Sequence, residues 1–565
     1  GWHVIEAKYG HKLQAAFAQP GGESLRNYID DMSNERYQSL FSVYGAALRE
    51  KFLVGAPAEV VAFINDISDD DLAPLVQNLG GHDIEMLLDA YRECDLVTDK
   101  PSVVFAYTVK GWGLPIAGDP LNHAALLSET QIDDLRKRNG LTLETEWDQF
   151  VSDTEEDRVC RAVGGDINNK ELPDRPVLNI PNEVSIAVGK KPMSTQEVFG
   201  RLLTGLGAIP EVAERMVTTS PDVSVSTNLG GWINKFGVFS SDEKPNYLGD
   251  DRLLRWNEGP QGRHVELGLS EMNLFLALHA FGLGHELHGE HLLPIGTVYD
   301  PFVCRGLDAL IYALYNGARF ILVGTPSGVT LAPEGGAHQS TVTTSLGIEL
   351  PNMTYAEPCY ARSLDWLLCN GLERLGTPDG DSMYLRLSTR PIDQSPFENI
   401  LAVRGADALR ADVLAGGYRL HEPTDKSQPT DLIIAATGSV VPEALAAAKL
   451  LESEGVNAVV IDICSPDRIY RGWRNAQQNA TRHGVTTRDV GHLGMLLHES
   501  EQRLPILTVQ DAASHSLAWL GSVYGARTVP VGVDEFGQSG TIAELYGIFD
   551  LLPEQLVNAA LLALS

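Results

Sequence analysis

Apolar residues in this chain come in short dense runs, separated by stretches with helical spacing. That rhythm predicts alternating strands and helices. The run Ser-Val-Val-Phe-Ala-Tyr-Thr-Val at 102–109 has the unbroken apolar character of a parallel strand buried on both faces. Runs at 222–225, 292–298, 318–323 and 382–387 read the same way, with helical spacing at 272–281 and 307–316. The C-terminal part repeats the pattern: a strand at 431–436, a turn at Thr437-Gly438-Ser439, an alanine-rich helix at 442–454 and a strand at 458–463. This is a βαβ unit. The alternation predicts an α/β protein with mostly parallel sheets flanked by helices.

Punctuation divides the pattern. The chain opens on Gly1-Trp2-His3-Val4-Ile5, which reads as a strand in progress, so the sequence is expected to begin inside a domain. Three glycines and two prolines in 110–120 predict a mobile loop. Residues 150–190 are acidic and then rich in proline and asparagine, without a sustained period, and are expected to form a linker. Three consecutive domains follow, at 1–190, 191–410 and 411–565, as suits a chain of 565 residues.

Charge and cysteine usage narrow the function classes. A net charge of −32 argues against a nucleic-acid binder, because phosphates would be repelled over most of the surface. No run approaches the roughly 20 apolar residues that span a bilayer, and no basic-apolar leader opens the chain. A cytoplasmic protein without a membrane partner is expected. The six cysteines form no Cys-x-x-Cys pair and are expected to be reduced and mostly buried.

The candidate chemistry lies in three places. Gly268-Leu269-Ser270-Glu271-Met272-Asn273 puts one carboxylate at the head of an apolar helix, ahead of a strand ending in Tyr299-Asp300-Pro301-Phe302. Paired aromatics at the carboxyl end of a strand sit where open α/β sheets bind ligands. Glu334-Gly335-Gly336-Ala337-His338-Gln339 offers a histidine on a loop able to approach a ligand closely, and imidazole titrates near neutrality. Lys110 and His123 bracket the glycine-rich loop and suit anionic groups. The histidine-rich run 285–291 lacks the His-Glu-x-x-His spacing, since position 289 is glycine, and is read as a polar turn. No P-loop and no Gly-x-Ser-x-Gly elbow is present.

Together these segments resemble the homodimeric type of pyruvate dehydrogenase first component and, more distantly, transketolase. Gly1 to Ile5, 28–52, Gly80-Gly81-His82-Asp83, Thr108-Val109-Lys110-Gly111-Trp112-Gly113 and Asp534-Glu535-Phe536-Gly537-Gln538-Ser539 look most like the pyruvate enzymes. The loop 334–339 and Arg390 lean towards transketolase, where the arginine binds sugar phosphate. Pro326 and Pro192 stand about where that family carries basic side chains, which weighs against sugar-phosphate transfer.

The resemblance implies a thiamine diphosphate-binding fold followed by a transketolase C-terminal-like domain. It implies Glu271 as the cofactor-activating carboxylate, which hydrogen-bonds the aminopyrimidine, with Tyr299 and Phe302 against that ring. His123 and His338 would be catalytic, and Lys110, Glu334, His338 and Arg390 would contact substrate. It further implies a homodimer, a 2-oxo acid substrate (pyruvate first) and a lipoyl-bearing acyltransferase partner. Ketol transfer between sugar phosphates and a non-catalytic paralogue are the alternatives. The family's Gly-Asp-Gly…Asn motif, which holds Mg²⁺ and the diphosphate, is expected upstream of Gly1. On that reading no metal ligand lies in this chain, and the chain alone is expected to be inactive.

Overall fold

In the computed structural model, residues 1–168, 172–188, 191–245, 253–424, 427–486 and 489–565 are described. The chain divides into two units, Gly1–Lys170 and Glu171–Ser565.

In the first unit, β1 (His3–Ala7) pairs in parallel with β2 (Ser102–Ala106), His3 standing opposite Ser102. Helices from His11–Phe17 to Ile84–Asp95 lie between them in sequence and pack around Leu13, Leu25, Leu48, Phe52, Val60 and Val76. The predicted strand 102–109 ends early, because its last residues turn to other partners. The Tyr107 carbonyl accepts from Gly81 N–H, and Val109 N–H donates to His82 Nε2 at 2.7 Å. The expected linker also needs correcting. Residues Glu155–Asn168 form a helix, with three acids in its first turn and Thr154 Oγ1 accepting from Asp157 N–H at 3.3 Å. Acids complement the positive helix start, and the Thr154 cap satisfies an orphan amide.

The second unit holds two sheets among its described residues. The first comprises β3 (Met216–Ser220), β4 (Val238–Phe239), β5 (Glu258–Gly259), β6 (His264–Glu266), β7 (Leu293–Val298), β8 (Ile321–Gly324), β9 (Met353–Ala356) and β10 (Ser382–Arg386). Their order is β5-β4-β6-β3-β7-β8-β10-β9, all parallel. The second comprises β11 (Tyr418–His421), β12 (Leu432–Ala436), β13 (Ala458–Asp462), β14 (Ile506–Val509) and β15 (Thr528–Val531). It is ordered β11-β13-β12-β14-β15, with β11 antiparallel.

Strand periodicity explains the layering. Ile321 and Val323 of β8 join a core with Val198, Phe199, Leu202 and Trp366, while Leu322 joins Leu274, Phe275, Leu278 and Leu310 on the other face. Each such fully buried side chain contributes about 1.5–3 kcal/mol. The first of these cores continues through Leu432, Ile434 and Val460 into the second sheet. Residues 172–188 have no regular secondary structure and are tied to this body by side-chain contacts. Asp365 accepts from the Val184 and Ser185 amides, and Trp366 Nε1 donates to Glu183.

Three further expectations change. The strand expected at 222–225 is a turn, and the strand lies earlier, at Met216–Ser220. Pro221 interrupts it, and Asp222 takes a φ of +62°, outside the strand region. Ile542–Leu564 is long and apolar enough to rival a membrane span by composition. It forms two helices, Ile542–Ile548 and Pro553–Leu564, and the second buries Leu556, Val557, Ala560 and Ala563. The cysteines are all free, but only Cys359, Cys369 and Cys464 are buried.

Asp462 closes β13 opposite Tyr418, whose hydroxyl donates to it. Burial pushes this carboxyl up to about 7, opposed by the Tyr418 hydroxyl and reinforced by Glu357. The folded protein therefore keeps the Asp462 proton to about pH 7, while the unfolded chain loses it near the ordinary 3.8. Its stabilising contribution is complete below that lower value and is lost as pH rises through the folded one. Asp462→Asn should flatten the fall in unfolding free energy between about pH 4 and 7. Parallel pH profiles for the two proteins, measured by urea unfolding, would contradict this.

Candidate functional site

The carboxyl ends of β6, β7 and β8 lie along one edge of the eight-stranded sheet, and the loops leaving them carry the candidate residues. Open parallel sheets bind ligands at such an edge.

Glu271 begins the helix Glu271–Gly282 that follows β6. The turn ahead of it contains Gly268 at φ +66° and is held by Glu266, whose Oε1 accepts from the amides of Asp222, Leu267 and Gly268 at 2.7, 3.0 and 3.2 Å. Burial would raise the Glu266 carboxyl, but the His264 ring and these amides hold it below its usual range. The Glu271 side chain is 13% exposed, and its Oε1 accepts from Arg305 Nη1 at 2.7 Å. A Cβ on Gly306 would meet Phe275 Cδ2 at 2.1 Å, so glycine there lets the turn after β7 approach the Glu271 helix.

The turn after β7 stacks Tyr299 on Phe302, with centroids 6.1 Å apart and planes 8° from parallel. The His338 ring stands edge-on to both, at 5.9 and 5.4 Å. Arg305 lies over the Phe302 ring, 3.9 Å from its centroid. Asp300, between the two aromatics, is fully buried and ties this turn to the body. It accepts from Arg386 Nε at 2.9 Å and Thr343 Oγ1 at 2.7 Å, and from the Tyr384 and Ser340 hydroxyls. Arg386 also donates to Glu357 at 2.6 Å and to the Asp511 carbonyl at 2.9 Å. Burial raises the Glu357 carboxyl and pushes Asp511 up to about 7, with Arg386 opposing both.

The loop after β8 carries Glu334 and His338, 3.9 Å apart. His338 Nδ1 is buried without a hydrogen-bond partner. The segment 537–539 supports this loop from far along the chain. Gln339 Nε2 donates to the Gln538 carbonyl and Ser539 Oγ to the Pro333 carbonyl, both at 2.9 Å. A Cβ on Gly336 would meet the Gly537 carbonyl oxygen at 2.1 Å. Two motifs quoted separately from the sequence thus form one layer.

Lys110 and His123 belong to the first unit, and the structure brings them together. Lys110 Nζ lies 3.3 Å from His123 Nδ1 and donates to its carbonyl at 3.2 Å. Arg390 is committed elsewhere in the second unit. It donates to both Glu443 carboxylate oxygens at 2.6 and 2.7 Å and to the Ser439 carbonyl at 2.9 Å, with its guanidinium over Tyr546. A sugar phosphate would have to displace a carboxylate there.

The histidine-rich run forms the short helix Gly284–His288 and serves packing. His285 Nε2 lies 2.9 Å from the Pro173 carbonyl, Glu286 pairs with Arg175, and His291 sits against Arg175 at 3.3 Å. Burial and the Arg175 and Arg215 charges push His291 down to about 4.

Sequence reasoning left Arg305, Asp300 and Glu266 without a role. The second stands inside the quoted aromatic run, yet no local pattern marks an acid whose partners are 40 to 86 residues away. Arg305 is legible only once the turn has formed.

Residues 171–390 match the pyruvate dehydrogenase E1 component middle domain, and residues 416–551 match the transketolase-like C-terminal domain. The chain is 24% identical to the pyruvate dehydrogenase E1 component of Cupriavidus necator and 22% identical to that of Escherichia coli K12, over 100% and 99% of its own length. It spans 64% of the length of either relative. Its fold is that of transketolase. The enzyme from Leishmania mexicana superposes with a TM-score of 0.60 at 18% identity, covering 86% of this chain and 65% of that one. Within the matched segment 171–390 fall Glu271, Tyr299, Phe302, Glu334, His338 and Arg390.

The residues of this segment fit an aminopyrimidine. A carboxylate acceptor and an aromatic face lie side by side, and a planar N–H donor, the Arg305 guanidinium, already contacts both. His338 Nδ1 adds an unsatisfied buried polar atom at the same aromatic pair. Among the described residues no group of three or more His, Cys, Asp or Glu side chains is arranged to hold a metal ion, so no magnesium site is assigned to them.

Proposed function

We propose that the protein takes part in thiamine diphosphate-dependent decarboxylation of a 2-oxo acid, pyruvate first, with transfer of the acyl group to a lipoyl carrier on a partner acyltransferase in the cytoplasm. The observation that carries this reading is the convergence of Glu271, the Tyr299–Phe302 pair and His338 at the carboxyl edge of a parallel sheet.

When bound, thiamine diphosphate supplies a carbon nucleophile for the keto group and an electron sink for the departing carboxylate. Glu271 is the carboxylate that would hold the aminopyrimidine and take part in its proton transfers. Tyr299 and Phe302 would offer that ring an aromatic wall and keep water from it. His338 holds or moves a proton at the substrate oxygen, with Glu334 behind it. Lys110 and His123 form a polar pair on the first unit suited to an anionic carboxylate.

The Glu271 helix and the helix Leu307–Tyr315 pack together and leave Met272, Leu276, Ile311, Tyr312 and Tyr315 exposed. Large apolar side chains exposed on two packed helices beside the site support a homodimer through this face. Arg390, held by Glu443, gives sugar-phosphate transfer little support.

His338→Ala in the full-length protein should lower kcat for pyruvate by about 10²–10⁴-fold. Cofactor affinity should change less than threefold, because the imidazole stands edge-on to the aromatic pair and the Glu271 carboxylate is held separately by Arg305. Equal losses in turnover and cofactor affinity, measured by steady-state kinetics and calorimetry, would remove the substrate-side role of His338.

A further inference from the structure

Arg305 is the feature that the proposed chemistry leaves unused. Its side chain is 58% exposed, yet its guanidinium makes two specific contacts, a 2.7 Å hydrogen bond to Glu271 and a face-on approach to Phe302 at 3.9 Å. Those are the contacts that a ring-protonated aminopyrimidine would make, since it is flat and delocalised like the guanidinium and presents an N–H donor to the carboxylate. A guanidinium stacks on aromatic faces and forks onto carboxylates for the same reasons. One carboxylate oxygen and one ring face do not serve both at once.

We infer that Arg305 is a built-in occupant of the pyrimidine seat, a latch that covers Glu271 and Phe302 until a planar N–H-donating heterocycle displaces it. The inference rests on the reading of Glu271 and Phe302 as that seat. The exposure of Arg305 lets it swing outward without unfolding anything, because its contacts are a partly exposed ion pair and a cation–π contact. Both are weak enough for a ligand to replace. The latch also satisfies the Glu271 carboxylate, whose side chain is only 13% exposed. In this account Arg305 is a positioning residue and touches no reacting atom.

The test is calorimetric titration of thiamine diphosphate, with Mg²⁺ present, into the full-length gene product and its Arg305→Gln, Arg305→Lys and Glu271→Gln variants. Removing the competitor should tighten binding about three- to tenfold in Arg305→Gln. Arg305→Lys should fall between that variant and wild type, because an ammonium keeps the charge but loses the flat stack. Glu271→Gln should bind more weakly than wild type. Unchanged or weaker binding in Arg305→Gln, with Glu271→Gln weakened as expected, would overturn the latch and leave the seat standing. Wild-type affinity in Glu271→Gln, or no binding by any of the proteins, would overturn the seat and the latch with it.

Discussion

Glu271→Ala in the full-length protein should lower turnover of its 2-oxo acid by at least about 10²-fold, the lower end for a positioned proton-transfer group. The argument starts from geometry. The Gly268 turn and the Glu266 carboxylate aim this single acid at the edge where the Tyr299–Phe302 pair begins. No second carboxylate hydrogen-bonds Arg305 among the described contacts, so nothing stands in for Glu271 when it is removed. Stability should hardly move. The pair that Glu271 makes with the mainly exposed Arg305 belongs to the class worth about 0–1 kcal/mol. Steady-state kinetics beside a urea titration separate the two effects. Unchanged turnover in a folded variant would remove Glu271 from the chemistry.

The largest stability effect should come from Asp300. Asp300→Ala removes the acceptor shared by Arg386, Thr343, Tyr384 and Ser340, all buried. Removing one partner of a buried ion pair costs about 3–5 kcal/mol, chiefly because the other charge stays behind unpaired. Arg386→Met should cost a similar amount from the opposite side, since it strands Asp300 and Glu357. Asp300→Ala should also loosen the site, because the same carboxylate fixes the aromatic turn against Ser340, two residues beyond His338. Urea unfolding of the full-length protein measures the first effect. A loss below about 1 kcal/mol would show that the network is solvated or already neutral.

Legibility in the sequence followed locality. The strands around 292–298, 382–387, 431–436 and 458–463 were readable because parallel strands buried on both faces are continuous apolar runs. The turn at 222–225 misled because Val223 and Val225 look like strand residues, whereas Pro221 and the left-handed Asp222 decide the backbone. The helix Glu155–Asn168 was hidden by low apolar content; its evidence is a cap and three first-turn acids. At the site, Glu271, Tyr299, Phe302 and His338 stood out as members of short local motifs, while the roles expected of them came from the family resemblance and not from spacing. Their neighbours Asp300 and Arg305 act through contacts that only the folded chain creates. The seating of the 334–339 loop on 537–539 spans about two hundred residues, beyond the reach of any local pattern.

The central claim is best tested by carbon dioxide release from carboxyl-labelled pyruvate, using the full-length protein with thiamine diphosphate, Mg²⁺ and an artificial electron acceptor. The account predicts cofactor-dependent release that falls with Glu271→Ala. No release, with turnover of a ketose phosphate in its place, would contradict it.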